Sequence, residues 1–298
     1  MKFSSLQFKT IAVATDLSEA SSAALGYAQS IAQTYQSTLV LVHVIDPVAY
    51  AFPEGAPKFL TANREAREEL DRMEEEARGH GIQVHSVVES GVVCERILQS
   101  VRGHHADLLV LGTRGKTVAG RVALGTIARQ LLGKANCPIM TISPEAAAAA
   151  PWTGHCQHVL AATDFSPSSI EGVRFAHQIA LRQLIALHVT EGETEQQRLD
   201  ALEELRYIAP FNESHSVPVE HILVSGNAGE QIANYAVKFG ADLVVLGSPS
   251  DELAEEDFAA STVLHVISTV ACPVLCVPVL PDWALREETP EAVFAGLL

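Results

Sequence analysis

Ile11-Ala-Val-Ala-Thr-Asp16-Leu-Ser18, near the start of the chain, returns halfway along it as Val159-Leu-Ala-Ala-Thr-Asp164-Phe-Ser166. Outward from this pair the echo continues. Val40-Leu-Val-His43-Val becomes Ile185-Ala-Leu-His188-Val, Asp107-Leu-Leu-Val-Leu-Gly112 becomes Asp242-Leu-Val-Val-Leu-Gly247, and Cys137-Pro138 becomes Cys272-Pro273. The offset is 148 at the first aspartate, 145 at the histidine and 135 from Gly91/Gly226 onward. The second copy is therefore shorter by thirteen residues, three before the histidine and ten after it. Self-similarity on this scale is a tandem duplication. The seam is the Ala/Pro stretch Pro144-Glu-Ala-Ala-Ala-Ala-Ala-Pro151, which divides the chain into domains 1–148 and 149–298.

Each copy alternates short β-branched runs with longer amphipathic stretches. In the first copy the runs at 9–15, 38–45, 82–89, 107–112 and 137–143 are almost wholly apolar, as parallel strands buried on both faces require. Helices are expected near 18–35, 60–80, 92–104 and 121–135, with Ser18 and Ser166 as N-caps and no glutamate at the capping-box position of either. Strand–helix alternation gives βαβ crossovers and a doubly wound α/β sheet. Ligands of such sheets sit beyond the carboxyl ends of the strands, at the switch point. The strands ending at Asp16 and Gly112 therefore mark the place to look.

Composition narrows the classes. With 48% apolar and 19% charged residues, the 298-residue chain has the material for two cores. Apolar runs such as 108–111 fall far short of the roughly 18–20 residues of a membrane helix. MKFSSLQFKT lacks the h-region of a secretory signal, and five irregularly spaced cysteines suit reduced thiols, so a cytoplasmic protein is expected. The net charge of −16 argues against nucleic-acid binding. Its distribution is uneven: residues 1–150 carry 14 basic and 15 acidic side chains, residues 151–298 carry 6 and 21. An anionic ligand is expected in the first half, because the field of the second opposes it.

The first half supplies a motif for such a ligand. After the fourth strand it reads Gly112-Thr-Arg114-Gly115, then Gly125-Thr126-Ile127, a Gly-x2-Gly-x9-Gly-Thr pattern. Glycines let backbone N–H groups approach an anion, and Gly-Thr falls where a helix begins and its free N–H groups favour phosphate. Here the sequence resembles the universal stress protein family in its tandem-domain form, over roughly residues 6–144 and 155–279. The resemblance rests on the Ala-Thr-Asp strand end, the Leu-x-His-Val strand, the glycine signature and the closing Cys-Pro strand. It implies Rossmann-like (adenine nucleotide alpha hydrolase-like) domains, each a five-stranded parallel sheet of order 3-2-1-4-5, paired through strand five. It further implies ATP, with Mg2+ as its companion ion, held in the first half. Gly112, Gly115, Gly125, Thr126 and Ile127 would meet phosphates and ribose; Ala14, Thr15 and Asp16 the adenosine; and Val44 the adenine through its backbone. Arg114, Lys116 and Arg121 are candidates for phosphate contacts.

The second half departs from the motif. Ser250 stands where Gly115 would be, Ala260-Ser261 replaces Gly125-Thr126, and five carboxylates lie within 251–257. Like charge would repel a nucleotide there, so one ATP per chain is expected. Gly115-Lys116-Thr117 resembles the tail of a P-loop, but Val110 stands where its first glycine belongs. His43 and His188 read as hydrogen-bonded strand-end residues, and Cys272 and Cys276 as buried thiols. No histidine run has zinc-site spacing, and no catalytic residue is identified. The leading function is an ATP-binding regulatory protein of the stress response. The alternatives are a slow ATPase or phosphotransferase using Asp16 and Mg2+, and a ligand-free interaction module. Strand-five pairing joins the two domains, through 138–142 and 273–277, and a homodimer is left open.

Overall fold

The structure is a computed structural model, and it describes residues 8–50, 55–113, 124–149, 155–192, 194–210, 217–248 and 261–279. The first copy runs β1 (Thr10–Ala14), α1 (Glu19–Tyr35), β2 (Thr38–Ile45), a 3-10 turn (Pro47–Tyr50), α2 (Gly55–Gly79), β3 (Gln83–Ser90), α3 (Val93–Gly103), β4 (Leu108–Gly112), α4 (Thr126–Lys134) and β5 (Ile139–Ile142). A short helix, α5 (Pro144–Ala148), opens the linker. The second copy follows with β6 (His158–Thr163), α6 (Pro167–Ile179), β7 (Gln183–Thr190), α7 (Glu195–Ile208), β8 (Val219–Ser225), α8 (Ala228–Phe239), β9 (Leu243–Gly247), α9 (Thr262–Thr269) and β10 (Val274–Val277).

The ten strands form one sheet of order β3-β2-β1-β4-β5-β10-β9-β6-β7-β8. Within each copy the order is 3-2-1-4-5 and every pairing is parallel. The one antiparallel pairing among the described residues joins β5 to β10, with Met140 opposite Leu275. Two side-chain bonds reinforce this junction: Thr141 Oγ1 donates to the Val274 carbonyl and Ser143 Oγ to that of Val270.

Strand periodicity places the cores. Ile11, Val13, Leu39 and Leu41 point to one face, the side of the sheet covered by α1, α2 and α5 in the first copy and by α6 and α7 in the second. Ala12, Val40, Val42 and Leu109 point to the other, under α3, α4, α8 and α9. Both cores continue through the second copy, so a fully buried side chain such as Ile11 is enclosed by sheet and helix together.

Two aspartates set the register of the inner strands. Asp107, just before β4, accepts the N–H groups of Lys9 (2.7 Å) and Thr10 (2.8 Å) on Oδ2. Asp242, its repeat, accepts those of Gln157 (2.8 Å) and His158 (3.2 Å). The acid that opens strand four thus clips the start of strand one in both copies. Asp242 Oδ1 is buried with no partner among the described residues, and burial outweighs the two amide bonds and raises its pKa.

Several local expectations change. The cap of α1 is a reciprocal box after all: Ser18 accepts the Ser21 N–H, and Ser21, a serine in the glutamate position, accepts that of Ser18. The second helix begins at Gly55, not 60, and among the described residues the helix expected from 121 begins at Thr126. The linker is partly helical because Ser143 caps α5, accepting from Ala146 N–H, and Pro144 suits its first turn. Tyr27 of α1 pins it by donating to the Ala146 carbonyl at 2.8 Å.

Candidate functional site

At the end of β1, Thr15 and Asp16 build a tight turn. Thr15 Oγ1 accepts the Leu17 N–H (3.0 Å) and donates to Ser21 Oγ (3.0 Å), while Asp16 Oδ1 accepts the Ser18 N–H (3.0 Å). Leu17 is held in the left-handed region at φ 60°, a conformation that costs a side-chain-bearing residue about 1–2 kcal/mol. His43 closes the turn from β2, its Nδ1 lying 2.8 Å from the Thr15 carbonyl. A carbonyl only accepts, so Nδ1 carries the proton. The second copy repeats every part. Thr163 Oγ1 and Asp164 Oδ1 accept from Phe165 and Ser166, Phe165 has φ 62°, and His188 Nδ1 lies 2.8 Å from the Thr163 carbonyl. The Thr-Asp pair is therefore a turn-forming unit in both halves. Burial of Asp164 is outweighed by the bonds from Ser166 and Ser169, which hold its carboxyl below the usual carboxylate range.

β1 stops short of its neighbour. Ala14 is opposite Val42, and Thr15 N–H donates to the Val42 carbonyl at 3.0 Å, whereas β2 runs on to Ile45. Backbone groups two residues apart on a strand point to the same side, so the N–H and C=O of Val44 face the space past the end of β1. Thr15, Asp16, Ala14 and Val44 are thus grouped at one corner of the sheet.

The second corner lies at the end of β4. Gly112 ends that strand, and the buried Thr113 donates its N–H to the Ile142 carbonyl of β5 at 3.0 Å. On the far side of residues 114–123 Leu124 is buried, and Gly125 N–H donates to the Thr113 carbonyl at 3.0 Å. Arg114, Gly115, Lys116 and Arg121 lie outside the described residues, as do Ser250, Ala260 and the 251–257 carboxylates. Gly125 is the N-cap of α4, at φ −59° and ψ 148°, and contributes no side-chain bond. Thr126 and Ile127 follow it, both exposed. The start of α4 thus stands beside the β4 end with no bond from an N-cap side chain and with its first two residues exposed, the place where helix N–H groups favour an anion.

The second half spends the same groups on itself. Ser261, the repeat of Thr126, becomes the N-cap of α9, and its Oγ accepts the Leu264 N–H at 3.3 Å. The cap has moved by one residue, so the hydroxyl that begins the helix at Thr126 seals it at Ser261.

The glycines divide into two kinds. A Cβ on Gly125 would lie 3.6 Å from the Thr113 carbonyl oxygen, an ordinary contact, and its φ suits any residue. A Cβ at Gly125 therefore does not strain the turn, and the protein's own packing leaves room for one. A Cβ on Gly247 would meet Ser169 N and Ser168 Oγ at 2.6 Å. Gly247 persists because the first turn of α6 packs on it, a reason the sequence pattern does not reveal.

Elsewhere the described residues offer less chemistry. They hold no group of three or more His, Cys, Asp or Glu arranged for a metal, and no helix long and apolar enough to cross a membrane. Burial pushes the Cys137, Cys156, Cys272 and Cys276 thiols up to about 12, so they stay protonated and unreactive near neutrality.

Comparison with known proteins agrees with this architecture. A universal stress protein of Methanocaldococcus jannaschii is 29% identical over 139 residues, 45% of this chain and 82% of its own length. One from Thermus aquaticus is 32% identical over 137 residues, 45% of this chain and 98% of its own length. Each alignment is about one repeat long. Among solved structures, a universal stress protein of Archaeoglobus fulgidus superposes with a TM-score of 0.74 at 18% identity, over 91% of this chain and 97% of its own. The profile of the universal stress protein family matches residues 7–143 and again 155–278. With both repeats matched and the duplicated sheet in place, the chain belongs to the universal stress protein family.

Proposed function

We propose that the first half of the chain binds one ATP and that the protein acts as a nucleotide-dependent regulator in the stress response. The observation that carries this reading is the uncapped start of α4, presented beside the end of β4, set against the sealed start of α9. The triphosphate would lie on the N–H groups of Thr126 and Ile127, with Gly125 leaving room for it and the Thr126 hydroxyl donating. Gly112, Arg114 and Gly115 would complete the cradle, and Mg2+ would enter as the counter-ion of the phosphates. Adenosine would lie across Ala14, Thr15 and Asp16, and adenine against the backbone of Val44.

Binding is favoured over rapid turnover because the polar groups at the β1 corner are engaged in its architecture. Asp16 Oδ1 holds the Ser18 N–H, and the Nδ1 proton of His43 holds the Thr15 carbonyl. The remaining design follows from the duplication. Residues 1–148 form the nucleotide-binding domain, and residues 149–298 its non-binding partner. The β5–β10 pairing holds the two together in solution, where it covers an edge that would otherwise invite association.

Calorimetry of the intact chain with ATP tests the stoichiometry: one site per chain is expected, and two equivalent sites would overturn it. Acid release and chromatography of nucleotide from gently purified protein tests the ligand. Retention of no adenine nucleotide, together with no calorimetric heat, would leave the interaction-module reading in its place.

A further inference from the structure

A cluster away from the nucleotide corner has no counterpart in the first half. At the carboxyl ends of β7 and β8, Thr190 and Ser225 are register partners, with their hydroxyl oxygens 2.9 Å apart. Arg198, in the first turn of α7, reaches back to both: Nη1 donates to Ser225 Oγ at 2.7 Å and to Thr190 Oγ1 at 3.1 Å. Those two bonds use both hydrogens of Nη1. Among the described residues nothing bonds the Nε–Nη2 edge, the face of a guanidinium that grips an oxyanion with two parallel bonds. Among the described residues no carboxylate pairs with it, although this half holds 21 acidic side chains and only 6 basic ones. Arg174 in the same half does pair, with Glu171 at 2.7 Å. In the first half the equivalent strand ends are Ile45 and Ser90, and the connection to the next helix spans 46–54 where the second copy has only 191–194. The cluster is therefore particular to the second copy.

We propose that Arg198, Thr190 and Ser225 form a binding site for a phosphoryl group, free or carried on a phosphate monoester. The two hydroxyls fix the guanidinium plane, which lowers the entropy lost on binding. Arg198 as a residue is half-buried, so its charge is less screened than that of a fully exposed cation. Thr190 Oγ1 can donate to the Val224 carbonyl (3.4 Å), and the proton of the exposed Ser225 is then able to turn outward to a third oxygen. Three donors from two directions suit a tetrahedral oxyanion better than a planar carboxylate. The position also suits a ligand, since it lies at the carboxyl ends of its own parallel strands, on the edge of the sheet opposite the nucleotide corner because β5 and β10 pair antiparallel.

The test follows the Nε–H resonance of Arg198 in nitrogen-15 spectra of the full chain, assigned by its loss in Arg198→Lys. Inorganic phosphate, glycerol 3-phosphate and acetate are titrated separately at matched ionic strength. Saturable shifts with phosphate or the monoester are expected, with acetate weaker by about tenfold or more. Tighter binding of the monoester identifies a phosphorylated metabolite as the ligand class, and tighter binding of phosphate identifies the free ion. Arg198→Lys keeps the charge but not the fork and should weaken calorimetric phosphate binding by roughly tenfold or more. Ser225→Ala, which leaves the cation in place, should weaken it by about threefold to tenfold and guards against a misfolded lysine variant. A resonance that does not saturate, an equal response to acetate, or variants that bind phosphate as the parent does would overturn the site. The signal sits on Arg198 itself, so it is independent of nucleotide binding in the first half.

Discussion

Gly125→Ser should strengthen the fold and weaken the ligand in one step. The position has N-cap geometry, and a Cβ there meets only the Thr113 carbonyl oxygen, at 3.6 Å. A serine can therefore adopt the native backbone and place its Oγ on an N–H of the first turn of α4, as Ser261 does for α9. Serine exceeds glycine at an N-cap by a few tenths of a kcal/mol, and replacing glycine without strain adds about 0.4–1 kcal/mol through the unfolded state. The sum, about 0.5–1.5 kcal/mol, corresponds to a rise of roughly 1–5 °C in melting temperature for a protein of this size class. The same hydroxyl competes with phosphate for that N–H. Losing one charge-assisted hydrogen bond costs about 1.5–3 kcal/mol, a fall in ATP affinity of about tenfold to more than a hundredfold. Scanning calorimetry and ATP titration on the same preparation read both effects. A stabilised variant that binds ATP as tightly as the parent would refute the use of the α4 terminus. A destabilised one would refute the account of Gly125 as open space.

The second half offers the complementary changes. Ser261→Ala should remove the cap of α9 and cost about 0.5–2 kcal/mol in urea denaturation, while ATP titration of the first half stays unchanged. Gly247→Ala should destabilise by about 1–3 kcal/mol in the same assay, because its methyl meets the α6 backbone at 2.6 Å. Two carboxylates should act oppositely on stability as pH changes. Asp164 has a lowered folded pKa, so its contribution is present above the unfolded value and is lost as pH falls through the folded one. Asp242 has a raised folded pKa, so stability declines as pH rises from the unfolded value through the folded one. Denaturation midpoints across the acid range should show Asp164→Asn losing part of the acid-side decline. Asp242→Asn should lose a decline that runs the other way, and parallel profiles for both variants and the parent would contradict the assignment.

Much of the fold is legible in the residues because its determinants are local. Apolar runs identify the strands of the first copy, and in the inner ones burial on both faces requires apolar side chains at successive positions, as at 108–111, whereas the edge strands β3 and β8 are only partly buried. The repeated Thr-Asp pair marks a turn because its side chains bond the amides two residues on, in the first copy and again in the second. The candidate site is legible only in part. Gly112, Gly125 and Thr126 stand out by spacing, but spacing does not separate a glycine needed by a ligand from one needed by packing.

The sequence alone determined the duplication, the alternation of strands and helices, the family resemblance and the uneven charge. Each depends on residue types at short range or on comparison of one copy with the other. Tertiary structure decided the rest. Whether Gly247 can carry a side chain depends on α6, some eighty residues earlier in the chain, which arrives within 2.6 Å of it. The one-residue difference between Gly125 and Ser261 as N-caps depends on where each helix begins against the sheet. The grip of Arg198 on Thr190 and Ser225 appears only when β7, β8 and the start of α7 are brought together. Long-range contacts fix these distances, and no local pattern encodes them, because a side chain's partner is chosen by the fold that surrounds it.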